Sequence, residues 1–125
     1  MRVLIVDDDP EMVLVLGMLM KVNGITALKA FGGVEGLEKA RADKPDVILL
    51  DIMMPDMDGY EVIKELRSDK NTKGIPVIFV TARTDAEYEE RAEALGADGY
   101  ITKPYERDSL METIRRVAGS LTAQL

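Results

Sequence analysis

Residues 3–10 read VLIVDDDP, four apolar residues running directly into three adjacent carboxylates. At ~4 Å and an effective dielectric of ~20, each pair of such charges repels by about 4 kcal/mol. The stretch therefore asks for an apolar strand that ends abruptly where a use for negative charge begins. Working outward, short Val- and Ile-rich runs recur at 25–30, 47–51, 76–81 and 99–102, together with 2–6 itself. Longer helical patterns lie between and after them, near 9–22, 33–42, 58–68, 85–95 and 106–118. The first, third and fourth runs are apolar almost throughout, as parallel strands covered on both faces must be. Five strands alternating with five helices predict an α/β fold, a doubly wound five-stranded parallel sheet. Asn23-Gly24, Gly32-Gly33, Lys44-Pro45, Gly74 and Gly96 punctuate the elements. One domain over residues 1–119 is expected, with 120–125 a short frayed tail.

Composition removes several chemistries. The chain holds 125 residues, 46% hydrophobic, with no cysteine and no histidine. Thiolate and imidazole chemistry are excluded, and any metal must be held by oxygen, which points to magnesium, manganese or calcium. A net charge of −7 disfavours direct contact with nucleic acid, whose phosphates need clustered cations. The longest apolar stretch, MVLVLGMLM at 12–20, is far short of a membrane span, and no signal peptide is visible. A cytoplasmic, soluble domain with no membrane association is expected.

In doubly wound sheets, ligands bind beyond the carboxyl ends of the strands. Asp7 and Asp8 follow the first strand, Asp51 ends the third, Thr81 ends the fourth and Lys103 follows the fifth. The topology should gather them on one rim. Carboxylates around a hard cation make a magnesium site, with manganese as the alternative, and Lys103 adds a second positive charge. Such a set suits phosphoryl transfer. Asp51, alone at the end of an apolar strand, is the best acceptor and would form an aspartyl phosphate.

VDDDP after the first strand, LLDIMMPDMDGYEV around the third, VTA after the fourth and GYITKPY at the fifth together resemble the receiver domain of a two-component response regulator, of the single-domain type. The resemblance covers nearly the whole chain and implies the flavodoxin-like strand order 2-1-3-4-5. It makes Asp51 the phosphoacceptor. By the same resemblance Asp8 would hold magnesium directly, Asp7 through water, and Met53 would lend its backbone carbonyl to the ion. Thr81 would be the hydroxyl that moves to the phosphoryl group, with small Ala82 leaving access beside it. Lys103 would be the site ammonium, and the peptide before Pro104 is expected to be cis. Tyr100 would be the aromatic switch that turns inward when Thr81 engages. The resemblance also implies a histidine kinase or histidine phosphotransfer protein as donor. A downstream protein target would read the surface of the fourth helix, fifth strand and fifth helix. The state would be a monomer or a phosphorylation-dependent homodimer, and the chain would be no enzyme beyond its own phosphorylation and dephosphorylation. With no effector domain visible, the output would be a contact or onward transfer of the phosphoryl group.

Plainer roles compete at some positions. Asp9 before Pro10 reads as a helix N-cap, and Asp56 and Asp58 as turn and cap residues near Gly59. Met53 and Arg83 flank the site, and their size and charge should place the hydrolytic water poorly and slow loss of the phosphoryl group. In the first helix, Met12, Leu16, Leu19 and Met20 should face the core, leaving Val13, Leu14 and Met18 outward for a partner. The fourth helix, with Asp85, Glu87, Glu89, Glu90 and Glu93, would favour a basic partner.

Three rival functions remain at this level. A small magnesium-dependent aspartyl-phosphate phosphohydrolase would use the D-x-D of Asp7 and Asp9, but the chain lacks room for its cap and a later acidic motif. An unphosphorylated protein-binding scaffold would not need the full polar set. A nucleotide-binding flavodoxin relative would need a glycine-rich loop after the first strand.

Overall fold

The computed structural model describes residues 1–123, and the side chains of residues 1–119. Five strands, β1 (Arg2–Val6), β2 (Thr26–Ala30), β3 (Val47–Leu50), β4 (Val77–Thr81) and β5 (Gly99–Thr102), form one parallel sheet in the order β2-β1-β3-β4-β5. Helices α1 (Pro10–Val22), α2 (Gly33–Asp43), α3 (Gly59–Ser68), α4 (Ala86–Ala94) and α5 (Arg107–Ala123) alternate with them. Half of the predicted ends stand unchanged and nearly all the others shift by a single residue, three of them because the capping residues Asp9, Asp58 and Asp85 stand just outside their helices. The exception is α5, which runs on to Ala123, where a tail from residue 120 was expected. Residues 124 and 125 of that expected tail lie outside the described residues.

Period-two alternation splits the buried strand residues into two cores. Leu4, Val6, Ile48, Leu50, Val77 and Phe79 meet Leu37, Ile63 and Leu66 on the side of α2 and α3. Val3, Ile5, Val47, Leu49, Ile78 and Val80 meet Val13, Leu16, Met20, Leu110 and Ile114 on the side of α1 and α5. Every residue of β3 and β4 is buried, which is why neither strand has a polar position until its last residue or the one after it.

Helix α1 corrects one expectation. Val13 is only 1% exposed and belongs to the core, while Leu14, Val15 and Met18 stand outward at 55%, 53% and 61%. The buried stripe is Val13, Leu16, Gly17 and Met20, spaced 3, 1 and 3, and Met12 and Leu19 fall at its margin. A Cβ on Gly17 would come within 3.1 Å of the Lys29 Cε on β2, the movable end of a flexible side chain.

Helix α4 is held least. Of its residues only Ala92 is buried, and it carries the exposed acids Glu87, Glu89, Glu90 and Glu93. Its other ties are few: the Tyr60 hydroxyl donates to the Tyr88 carbonyl at 3.1 Å, and the Arg91 guanidinium lies 4.3 Å from the Tyr60 ring centroid. An element with so little buried apolar surface belongs to the low-stability end of the molecule.

Candidate functional site

Backbone bonds carry the register of the sheet one residue past each strand. Asp7 donates its amide to the Ala30 carbonyl, Asp51 to Val6 and Lys103 to Thr81, at 3.2, 3.0 and 2.7 Å. The first residue after β1, β3 and β5 is thereby fixed in the same layer as Thr81, the last residue of β4. Asp7, Asp51 and Thr81 are buried and Lys103 is partly buried, although all four are polar.

They meet through Lys103. Its ammonium Nζ donates to Asp7 Oδ2 at 2.8 Å and to Asp51 Oδ2 at 3.3 Å. The other carboxylate oxygens are also engaged: Asp7 Oδ1 accepts from the Asp9 amide at 3.0 Å and Asp51 Oδ1 from the Ile52 amide at 2.7 Å. Asp8, exposed at the rim, completes a group of three acids with one carboxylate oxygen each within 4.8 Å of one another. The spacing and the all-oxygen donor set fit a hard divalent cation such as magnesium.

Three carboxylates and one ammonium share this point. Burial raises the Asp51 pKa above its ordinary value; the Lys103 charge pulls the other way, and the Asp7 charge pushes it up again. Burial also works against the Lys103 ammonium, but its hydrogen bond to Asp7 and the charges of Asp51 and Asp7 outweigh that effect and hold its pKa above the usual lysine value. One ammonium thus serves two buried carboxylates, and a third carboxylate stands beside them. Here the VDDDP stretch finds its physical use.

Around this centre the structure places the remaining residues singled out in the sequence. The Thr81 hydroxyl is fully buried and accepts from the Arg83 amide at 3.3 Å. Ala82 and Arg83 are exposed at the mouth, as is the Met53 side chain, 51% accessible. Lys103-Pro104 is a cis peptide. Tyr100 is half-buried, its ring centroid 6.3 Å from that of Phe79, and its hydroxyl donates to the Arg83 carbonyl at 2.7 Å. Burial first, then neighbouring negative groups, pushes the Tyr100 phenol up to about 12, so it remains a proton donor at neutral pH. Tyr100 therefore links β5 directly to the loop that follows Thr81.

The neighbouring acids are otherwise employed. Asp9 caps α1 by accepting from the Glu11 amide, and Asp58 caps α3 by accepting from the Glu61 amide. Asp56 caps as well, but not the adjacent helix: it takes the first two amides of α2. No local sequence signal marks that pairing, since the partners lie 22 and 23 residues away. A second feature absent from the sequence reading is an apolar groove beside the site. Met12, Val15, Met18, Leu19 and Val22 of α1 line it with Pro104 and Tyr105, and the cations Lys103 and Arg107 line it as well.

Comparison with known proteins identifies the family. Residues 3–115 match the family model of the response regulator receiver domain. Protein PilH of Pseudomonas aeruginosa is 39% identical over 116 residues, which span 93% of this chain and 96% of PilH. Of several other curated relatives, among them the response regulator MprA of Mycobacterium ulcerans, this chain spans half the length or less. Among solved structures, the chemotaxis protein CheY4 of Vibrio cholerae superposes with a TM-score of 0.87 at 33% identity, covering 93% of this chain and 97% of that one. A CheY-like receiver domain from Methanospirillum hungatei gives 0.92 at 29% identity, with 99% and 98% covered. No helix among the described residues is long and apolar enough to cross a membrane. Fold, strand order, the carboxylate cluster and these likenesses lead to one conclusion: the chain belongs to the response regulator receiver domain family of two-component signalling.

Proposed function

We propose that the chain accepts a phosphoryl group on Asp51 from a histidine kinase or histidine phosphotransfer protein and signals through the resulting change of its surface. The single observation that carries this reading is the convergence of Asp7, Asp8, Asp51 and Lys103 at one sheet edge, with Asp51 the buried acid at the end of β3. Asp8, Asp7, Asp51 and the Met53 carbonyl would hold magnesium, which when bound neutralises charge on the incoming phosphoryl oxygens. An Asp51 carboxylate oxygen attacks phosphorus, the bond from phosphorus to the donor nitrogen or oxygen breaks, and the leaving group departs with that electron pair. Lys103 stabilises the charge now resting on the phosphoryl oxygens. The Thr81 hydroxyl, freed from the Arg83 amide, donates to the same oxygens.

Movement of Thr81 strains the Arg83 segment, which is the segment Tyr100 holds. The loosely packed α4 follows, and its acidic face with β5 and α5 becomes the output surface for a downstream target, a basic one by charge. The chain turns over no substrate apart from its own phosphoryl group.

Incubation with acetyl phosphate and magnesium tests the reading. Intact mass should rise by one phosphoryl group, absent when the metal is chelated, and peptide mapping should locate it on Asp51. A phosphoryl group on Asp7 would instead indicate a phosphohydrolase of the D-x-D kind. Two residues set how long the modification lasts. Met53 and Arg83, both exposed at the mouth, impede the approach of water, so release of phosphate should take minutes or longer; decay within seconds refutes that role.

The groove along α1 is where the donor protein should dock, since it is apolar and opens beside Lys103. Val15→Glu with Met18→Glu should slow transfer from the cognate histidine donor by about tenfold or more, as loss of a well-buried apolar anchor does. Uptake from acetyl phosphate should be unaltered, because neither side chain reaches the acids. Equal slowing with both donors would remove the docking role.

A further inference from the structure

Helix α2 starts without a cap of its own, because Gly32 stands at the N-cap position and offers no side-chain acceptor. Its first two amides, of Gly33 and Val34, donate to Asp56 Oδ1 and Oδ2, each at 3.1 Å. Asp56 belongs to the loop that leaves Asp51 and enters α3. The contact is tight on both sides of this bond. A Cβ on Gly32 would lie 3.0 Å from Asp56 Oδ2, and one on Gly33 would lie 2.7 Å from the Met57 carbonyl oxygen. Bonds from the Val34 and Gly33 amides also hold the Asp56 carboxyl below the ordinary range.

The same loop is anchored at its ends by Asp51 N–H to the Val6 carbonyl and by Gly59 N–H to the Ile52 carbonyl, at 3.0 and 2.8 Å. Between these anchors Ile52 and Met54 are buried in the core on the side of α2 and α3 and Met57 packs against it, while the Met53 side chain reaches solvent. Asp56 adds the polar fastening between Met54 and Met57.

We propose that Asp56 is a positioning residue for the divalent-ion site, fastening the loop so that its backbone is already in place beside Asp51. This inference rests on the reading of Asp7, Asp8, Asp51 and the Met53 carbonyl as that site. Asp56 touches neither ion nor phosphoryl group; it acts through the backbone between itself and Asp51. The two-point cap adds to the buried Ile52 and Met54 in holding this loop in the ion-free chain.

The test titrates manganese into the full chain and reads the free-ion signal by electron paramagnetic resonance. Asp56→Ala should weaken the manganese dissociation constant by about tenfold, as removal of an outer-shell support does. Asp56→Asn keeps one carbonyl acceptor for an α2 amide and should recover most of the affinity. Asp46→Ala removes a carboxylate that accepts the Arg2 amide at the opposite end of the strands and should leave affinity unchanged. If Asp56→Ala is too unstable to titrate, Gly33→Ala presses on the Met57 carbonyl from the other side, keeps Asp56, and should weaken manganese in the same way. Wild-type manganese affinity in Asp56→Ala, or in Gly33→Ala where the first variant does not fold, overturns the proposal and leaves Asp56 a cap alone. A wild type that binds manganese but takes no phosphoryl group refutes the acceptor reading and not this one. A wild type that binds no divalent ion refutes both.

Discussion

Asp51→Asn is expected to abolish phosphoryl uptake from acetyl phosphate while making the ion-free protein more stable. The first half follows from the chemistry: an amide oxygen is too poor a nucleophile to displace the donor's leaving group, and Asp7 is held by Lys103 and the Asp9 amide. Intact mass after incubation with magnesium reads it directly, and a phosphorylated Asp51→Asn chain would reassign the acceptor. The second half follows from the electrostatics. Burial is the largest cause of the raised Asp51 pKa, so the folded state holds this proton more tightly than the unfolded state does. The sign is then fixed: the contribution of Asp51 to stability declines as pH rises from the ordinary carboxylate value through the folded value, and the loss persists at neutral pH. The neutral variant lacks that loss. Denaturant melts of both proteins without metal, from acid to neutral pH, should show the variant's advantage opening across that window. Added magnesium should stabilise the wild type and have much less effect on the variant, since binding to the native state alone shifts the equilibrium. An advantage that is the same at every pH would mean that the Asp51 charge is not its source.

Gly59→Ala should be the most damaging single methyl group in the molecule. An added Cβ would sit 2.4 Å from the Asp51 carbonyl oxygen, 2.9 Å from Ile52 Cα and 2.8 Å from a Phe79 ring carbon. Two of these are backbone atoms of the residues that form the site, and Phe79 is a fully buried core ring. None is the tip of a flexible chain, so relief requires moving β3 or the start of α3. Overpacking of this kind costs about 3 kcal/mol or more, a large part of the 5–15 kcal/mol of roughly typical domain stability. A urea midpoint within experimental scatter of wild type would show that the loop yields easily. By contrast, a Cβ on Gly74 meets nothing within 4 Å, and Gly74→Ala serves as the matched control with little change expected.

These two positions also show where sequence reading works and where it stops. The sheet was legible because β1, β3 and β4 are buried on both faces, and such strands must be apolar without interruption. Three of the rim residues were legible for the same reason: Asp7, Asp51 and Thr81 are the first polar groups at or just after the ends of those buried strands, whereas Lys103 follows the half-buried β5 and was legible from the GYITKPY motif. Asp9 and Asp58 were readable as caps because an N-cap acts over two or three residues of chain. Val13 was misplaced because nearly the whole of α1 is apolar, and a helix with no polar face gives no phase from which to choose its buried stripe. The extension of α5 past residue 119 was missed because polar and small residues there weaken the periodic signal.

The amino-acid order by itself determined the strand and helix alternation, and with it the meeting of four polar side chains at one edge, since a parallel sheet leaves them nowhere else to go. Only the tertiary structure decided which of two near-equivalent faces α1 buries, that Asp56 caps a helix 23 residues upstream, and that Tyr100 already holds the segment after Thr81. These depend on distances between elements: periodicity along a chain records the buried side only of an element that has a polar side, and never what lies opposite it.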